Sequence, residues 1–196
     1  MTSILTIPNL LTFMRMALIP AFASMLFYGH YKMGLAFFVI AGITDGIDGF
    51  FARRFKQETE LGTIIDPIAD KLLMTTAFVI LSLPNVLPQV RHLPVPFWVT
   101  VTVIGRDILI LMVATAITVF TGFRGFKPSL LGKLSTLVQV LAVTLILISA
   151  VAGLSFYLPT TYTIVTLFAF LSGVHYVFQV ARLMNEAQRP SEASDR

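Results

Sequence analysis

The chain has 196 residues, of which 56% are hydrophobic and only 12% are charged, with a mean hydropathy of +0.85. A soluble domain of this size cannot bury so much apolar surface, so the composition indicates a polytopic membrane protein. The absence of cysteine excludes disulfides and thiolate metal sites, and the net charge of +4 does not indicate nucleic-acid binding because the basic residues lie in short segments between apolar blocks.

Six apolar blocks are long enough to cross a bilayer as helices, which takes about 20 residues each. In chain order they cover residues 7–28, 33–51, 62–83, 96–120, 129–152 and 159–183. Turns rich in glycine, proline or polar residues are predicted between them. The sequence therefore predicts an all-α fold with six transmembrane helices in one membrane domain at 1–184, followed by a disordered polar tail at 185–196.

The distribution of lysine and arginine predicts the orientation of these spans. If the N-terminus is cytosolic, the segments after the second and fourth spans and the tail carry nine basic residues, against two on the opposite side. Because basic loops stay in the cytosol, both termini and the loop at 53–61 are predicted to be cytosolic.

Five of the ten acidic residues lie within or at the ends of apolar spans, which is an unusual position for a carboxylate. They are Asp45, Asp48, Asp66, Asp70 and Asp107. A charged side chain at mid-span costs about 2.5–3.5 kcal/mol on insertion scales, and clustered carboxylates also repel one another. Such a group requires a compensating positive charge.

The spacing of four of these aspartates predicts one cluster. Asp45 and Asp48 are three residues apart on one helix face, and Asp66 and Asp70 are four apart on the next helix. A short basic loop joins the two helices, so the four carboxylates are predicted to face each other. Oxygen ligands without His or Cys suit Mg²⁺ or Mn²⁺, and four carboxylates can hold two ions. Helix capping or pairing with basic neighbours explains one such aspartate more readily than four.

The segment from 45 to 70 reads D-x2-D-G-x2-A-R-x8-G-x3-D-x3-D. This pattern resembles the signature of the CDP-alcohol phosphotransferase family at all eight specified positions. The segments IPNLLTFMR at 7–15, GRD at 105–107 and KPSLLGKLSTLVQ at 127–139 are similar to those of phosphatidylglycerophosphate synthases and eukaryotic-type cardiolipin synthases within that family.

The resemblance implies a six-helix fold, usually homodimeric, with a cavity open to the cytosol, here expected at a bacterial inner membrane. It implies two metal ions bound by the aspartates at 45, 48, 66 and 70, with Asp70 also acting as general base. It further implies a pocket for CDP lined by Gly49, Ala52 and Arg53.

The expected reaction transfers a phosphatidyl group from CDP-diacylglycerol to an alcohol and releases CMP. Two ions can neutralise the diphosphate and stabilise the leaving group. Arg53 offers a forked donor for phosphate oxygens, and Asp70 can take the proton of the incoming hydroxyl. The lipid chains are expected to enter laterally from the membrane, and a soluble headgroup from the cytosol.

Two basic residues are predicted to bind the acceptor. Arg106 lies inside the fourth span, where binding an acceptor phosphate and a plain ion pair with Asp107 are equally supported. Lys133 matches a family lysine that reaches the acceptor phosphate. Many phosphatidylglycerophosphate synthases carry a second lysine where this chain has Ser135. The missing positive charge weakens the case for the dianion glycerol 3-phosphate and brings the chain closer to the cardiolipin synthases, whose acceptor is phosphatidylglycerol. Glycerol 3-phosphate is favoured narrowly, because it is the common acceptor of small bacterial members and Arg106 can supply the second charge.

A divalent-cation transporter is the rival from another functional class, since transporters also place carboxylates within helices. A transporter is expected to line a path through the membrane with acidic residues at several depths. Here four of the five aspartates lie at the cytosolic end of their spans, which favours the enzyme.

Overall fold

The computed structural model describes residues 7–55, 60–88, 92–121 and 129–187, and the side chains of 10–45, 65, 66, 68–88, 92–116 and 129–182. Its six α-helices are α1 (Ile7–Phe27), α2 (Tyr31–Phe55), α3 (Glu60–Ser82), α4 (Phe97–Thr121), α5 (Leu130–Ala152) and α6 (Leu158–Ala187). The described residues contain no β-strand. The predicted all-α fold is therefore confirmed.

Four of the helices, α1, α4, α5 and α6, contain a segment long and apolar enough to cross a membrane. The other two helices, α2 and α3, carry the four aspartates of the predicted metal site. Many large apolar side chains point outward, among them Leu111, Met112 and Phe178, which are 69%, 65% and 72% exposed. An apolar exterior of this extent is typical of a surface that faces lipid. The chain is thus described as a membrane protein, while six spans and cytosolic termini remain predictions.

The helix ends differ from the predicted span ends mainly around the second loop. Helix α2 continues to Phe55 and α3 already begins at Glu60, so both helices extend into the segment predicted as a loop at 53–61. Hydrophobic length alone cannot find these ends, because the extra turns carry polar residues and leave the apolar block. Helix α6 likewise runs to Ala187, past the predicted domain boundary at 184, and the remainder of the predicted tail lies outside the described residues.

Helix α1 packs along α2 and also touches α3, and α6 packs on α4 and α5, while α2 joins the two groups through α5. Phe22 of α1 and Phe38 of α2 are buried with ring centroids 5.8 Å apart. The core continues through Phe78 of α3 and Ile146 of α5, both fully buried. Packing of this kind fixes the relative depth of α1, α2 and α3, and thereby the positions of their polar residues.

The start of α5 is defined by a capping residue. Ser129 accepts a hydrogen bond from the Gly132 N–H at 3.0 Å, which satisfies one of the unpaired donors of the first turn. At the other end, Gly153 has φ of 72° and its N–H bonds the Ser149 carbonyl at 2.8 Å. A left-handed residue after the last turn is the common use of glycine at a helix end.

Candidate active site

Asp45 of α2 and Asp70 of α3 converge on a single cationic nitrogen. Nη1 of Arg15, from α1, lies 3.0 Å from Oδ1 of Asp45 and 2.8 Å from Oδ1 of Asp70. The two carboxylates are therefore immediate neighbours across one guanidinium nitrogen. The sequence predicts that these two carboxylates lie close together. The positive charge between them in the structure is the Arg15 guanidinium, and the two metal ions remain a prediction.

Helix α1 also contacts a third aspartate. The Thr12 hydroxyl donates a hydrogen bond to Oδ1 of Asp66, and Thr12 is 2% exposed. Thr12 and Arg15 are three residues apart, so they share one face of α1. That face therefore contacts Asp66 on one turn and the pair Asp45 and Asp70 on the next.

The converging carboxylates lie at a pocket while the arginine lies behind them. The Asp45 and Asp70 side chains are 45% and 44% exposed, whereas the Arg15 side chain is fully buried. Both aspartates line a pocket of about 380 Å³ between α2, α3 and α5, whose other walls include the apolar Val39 and Ile43. Val39 and Ile43 are also exposed on the outer surface of the helix bundle. The pocket therefore extends from the two carboxylates to the face that is expected to meet lipid.

A second polar cluster joins three helices, α3, α4 and α6, beside the first. Asp107 of α4 accepts from Arg106 Nη1 at 2.6 Å and pairs with Lys71 Nζ of α3 at 2.6 Å. The other edge of the Arg106 guanidinium donates to the Ser172 hydroxyl of α6, at 3.2 Å from Nε and 2.6 Å from Nη2. Lys71 directly follows Asp70, so the two clusters are adjacent along α3.

The beginning of α5 lies against this second cluster. A Cβ atom on Gly132 would be 3.3 Å from Arg106 Nη2, so a larger residue here would require the guanidinium or the first turn of α5 to move by a few tenths of an ångström. Helices α4 and α6 both continue for about 22 Å beyond the level of Arg106 and Ser172. The N-terminal end of α5, which carries a partial positive charge, therefore lies at the level of Arg106 and does not reach the C-terminal ends of α4 and α6.

Lys133 follows Gly132 and is exposed. It is three residues before Thr136, which lines the pocket of Asp45 and Asp70, so Lys133 lies on the same face of α5, one turn nearer the helix start. Ser135, by contrast, is fully buried and accepts a hydrogen bond from Gln139 at 3.4 Å.

Several predicted site residues lie outside the part of the chain whose side chains are described. They are Asp48, Gly49, Ala52 and Arg53. Their backbone is part of α2, which places Asp48 about one turn beyond Asp45. Their predicted roles in binding metal and CDP remain predictions.

The described carboxylates fit a divalent cation as part of a ligand set. Within the described side chains, no three His, Cys, Asp or Glu residues gather closely enough to hold an ion by themselves. Mg²⁺, however, is usually held by one or two carboxylates together with substrate phosphates and water. Asp45 and Asp70 already place two carboxylate oxygens around one positive charge. The donor set is thus of the kind that a hard cation prefers.

Sequence reasoning missed the part played by α1. In the sequence, ordinary anchoring at the membrane interface explains an arginine near the start of a span, such as Arg15, as well as a role in the site does. The useful signal is its position two turns inside an apolar helix, where an unpaired arginine is costly. Ser172 gave no such signal, since an isolated serine in a span is common.

The family-level comparison agrees with this geometry. Residues 5–182 match the sequence model of the CDP-alcohol phosphatidyltransferases. The chain belongs to this family. The predicted family resemblance and the prediction of a phosphatidyltransferase are thereby confirmed, and the alternative of a cation transporter is set aside.

Curated relatives within the family cover most of the chain. A probable phosphatidylglycerophosphate synthase of Mycobacterium tuberculosis is 33% identical over 91% of this chain and 83% of its own length. A CDP-diacylglycerol–glycerol-3-phosphate 3-phosphatidyltransferase of Sodalis glossinidius is 31% identical over 85% of this chain and 93% of its own. A putative cardiolipin synthase of Mycobacterium bovis is 36% identical, but over only 55% of this chain and 48% of its own length.

Proposed function

We propose that the protein transfers the phosphatidyl group of CDP-diacylglycerol to glycerol 3-phosphate, forming phosphatidylglycerophosphate and releasing CMP. The observation that carries the proposal is the convergence of Asp45 and Asp70 on one positive charge at the mouth of a partly apolar pocket. Relatives whose names state this reaction match the chain over most of both lengths, which supports glycerol 3-phosphate as the acceptor.

The proposed setting is a bacterial inner membrane crossed by all six helices, with both termini and the active site facing the cytosol. Four apolar helices and an outward-facing apolar surface support the membrane location. The excess of basic residues on one side of the spans supports the orientation. A homodimer is part of the proposal on the strength of the family resemblance alone.

Members of this family generally depend on divalent metal. We propose that Asp45, Asp48, Asp66 and Asp70 hold two ions, either Mg²⁺ or Mn²⁺. When bound, the ions supply positive charge that neutralises the diphosphate of the CDP-lipid and stabilises CMP as it leaves. The convergence of two of the four carboxylates and the contact of a third with the same face of α1 support this assignment.

The protein's own residues then divide the remaining tasks. Asp70 is proposed to take the proton from the acceptor hydroxyl, and its half-exposed carboxylate at the pocket supports this role. Gly49, Ala52 and Arg53 are proposed to bind the CDP moiety. The apolar wall beside Val39 and Ile43 offers a place for an acyl chain next to the reacting phosphate.

Arg106 and Lys133 are proposed to bind the phosphate of the acceptor. Lys133 lies on the face of α5 that continues into the aspartate pocket. The first turn of α5 adds a positive helix end close to Arg106. A dianionic phosphate at this point would meet two cations and a helix N-terminus. Because Arg106 also bonds Asp107 and Ser172, its guanidinium is held in one orientation before any acceptor binds.

A product screen tests the proposal. Purified protein in liposomes is given radiolabelled CDP-diacylglycerol with glycerol 3-phosphate, phosphatidylglycerol, serine or inositol phosphate in parallel reactions. We expect phosphatidylglycerophosphate and an equal amount of CMP with Mg²⁺ or Mn²⁺, and neither product in excess EDTA. Turnover that is unchanged in EDTA would refute the metal assignment.

The same screen decides the second candidate acceptor, phosphatidylglycerol, whose product would be cardiolipin. Ser135 stands where many phosphatidylglycerophosphate synthases have a lysine, which lowers the positive charge available for a dianionic acceptor. Cardiolipin formed only in the phosphatidylglycerol reaction would establish this alternative and overturn glycerol 3-phosphate.

A further inference from the structure

Among the residues whose burial is described, Arg15 is the only charged one that is completely buried. It lies two turns inside α1, yet contacts Asp45 on α2 and Asp70 on α3 through one nitrogen. The arginine therefore ties three helices together at the candidate metal site.

The electrostatics of this arrangement require each partner. A guanidinium within an apolar span is costly unless it is paired with an anion. Two carboxylates held side by side repel one another, and that repulsion is strongest where water is partly excluded. A guanidinium placed between the two carboxylates is paired with anions and at the same time reduces the repulsion between them. Removing the guanidinium therefore leaves the repulsion uncompensated, and removing the carboxylates leaves the guanidinium without these anions.

We propose that Arg15 is a positioning residue that serves as a built-in counter-cation: it holds Asp45 and Asp70 together when no divalent ion is bound. The proposal rests on the proposed function, because it takes these aspartates to be metal ligands. Arg15 is buried behind the carboxylates, while the carboxylates themselves line the open pocket. An ion arriving through the pocket thus meets ligands that already lie side by side, on the side away from the arginine.

This arrangement predicts a specific dependence on metal. In metal-free protein the Arg15 guanidinium lies between the two carboxylates and relieves their repulsion. With a divalent ion bound, the ion relieves most of it. Loss of the Arg15 charge should therefore destabilise the metal-free protein much more than the metal-bound protein, whereas a residue that only packs should matter equally in both.

The test compares thermal unfolding in detergent, in EDTA and in saturating Mn²⁺ or Mg²⁺, without substrate. The variants are Arg15→Gln and Arg15→Lys, and the control is Phe22→Leu, a fully buried residue of the same helix whose ring packs on Phe38. For Arg15→Gln we expect Tm to fall by about 4–8 °C in EDTA and by less than half as much with metal. Arg15→Lys, which keeps the charge, should lose less in EDTA than Arg15→Gln. Phe22→Leu should lower Tm equally in both conditions.

The outcomes separate this inference from the proposed function. If the unsubstituted protein shows no metal-dependent rise in Tm, the proposed metal site is wrong and the role of Arg15 is wrong with it. If it shows the rise but Arg15→Gln behaves like Phe22→Leu, only the role of Arg15 is wrong. If Arg15→Gln cannot be purified in EDTA but can be purified in Mn²⁺, the inference is supported. If Arg15→Gln can be purified in neither condition, Arg15→Lys decides. A fall in the Tm of Arg15→Lys that is the same in EDTA and in metal overturns the inference, and a fall that is larger in EDTA supports it.

Discussion

Lys71 Nζ lies 2.6 Å from Oδ2 of Asp107, and this ion pair joins α3 to α4 immediately beside Asp70. Oδ1 of Asp107 binds Arg106 at 2.6 Å, so one carboxylate orients two cations that belong to different helices. Asp107 is only 11% exposed, whereas Lys71 is 49% exposed. The pair therefore connects the interior of the bundle with the region next to the aspartate pocket.

Substituting Asp107 with asparagine should impair use of the acceptor more than use of the CDP-lipid. The change removes the negative charge that holds the Arg106 guanidinium, and a hydrogen bond to a charged group is worth about 1.5–3 kcal/mol. We expect kcat/KM for glycerol 3-phosphate to fall by about 10- to 100-fold, measured with the CDP-lipid saturating. Asp107→Glu, which keeps the charge, should retain more activity. Equal losses in kcat/KM for both substrates would indicate a general structural role for Asp107 instead.

Asp66→Asn and Asp48→Asn test the metal assignment directly. Each change removes a charged ligand, and because positive charge on the diphosphate is needed for CMP to leave, transfer should fall at least about 1,000-fold. Membrane insertion and the gel-filtration profile should match the unsubstituted protein. Thr102→Val, a change on α4 that removes a hydroxyl bonded only within its own helix turn, is a control expected to keep full activity. Near-normal turnover in either aspartate variant would contradict the metal assignment.

The sequence predicts well what depends on a single helix. The positions of the six helices follow from hydrophobic length, because these helices contain nearly all of the predicted apolar blocks. The sequence also predicts that Asp45 and Asp70 lie close together, because helical spacing and a short loop constrain how the two adjacent helices face each other. Contacts between segments that are far apart in the sequence are harder to predict. Arg15 and Asp70 are 55 residues apart, and no local pattern states which face of α1 turns toward α3.

The acceptor region shows the same division. Adjacency in the sequence makes the Arg106–Asp107 ion pair an obvious possibility, and the structure contains it. The contribution of Ser172, at the far end of the guanidinium, depends on how α6 packs against α4 and is invisible in the sequence. An arginine bonded at both edges can still bind an acceptor phosphate, so the ion pair does not decide the proposed role of Arg106.

Lys133→Ala should raise KM for the acceptor more than KM for the CDP-lipid. Lys133 is exposed on the face of α5 that leads to the pocket, so its ammonium group is expected to meet the acceptor phosphate and not the diphosphate. Loss of one charge-assisted contact of about 1.5–3 kcal/mol corresponds to a rise of about 10- to 100-fold in acceptor KM. Steady-state kinetics with each substrate varied in turn measures both constants. Lys133→Arg should be closer to the unsubstituted enzyme, and an equal rise in both constants in Lys133→Ala would show that its charge acts nonspecifically.

Gly34→Ala tests the close packing of α1 on α2, which sets the depth of Arg15 relative to Asp45. A Cβ atom on Gly34 would lie 2.6 Å from Cδ2 and 3.2 Å from Cγ of Leu26, a fully buried residue, so α1 and α2 must separate slightly or Leu26 must leave its rotamer. Overpacking of this kind costs about 1–3 kcal/mol. Gly105→Ala is the matched control, because nothing lies within 4 Å of its added Cβ and alanine is the better helix former. Thermal unfolding in detergent should show a lower Tm for Gly34→Ala and an unchanged or higher Tm for Gly105→Ala. A Gly34→Ala protein as stable as the control would mean that α1 and α2 are less tightly packed than these distances require, and the fixed register that brings Arg15 to Asp45 would then need another cause.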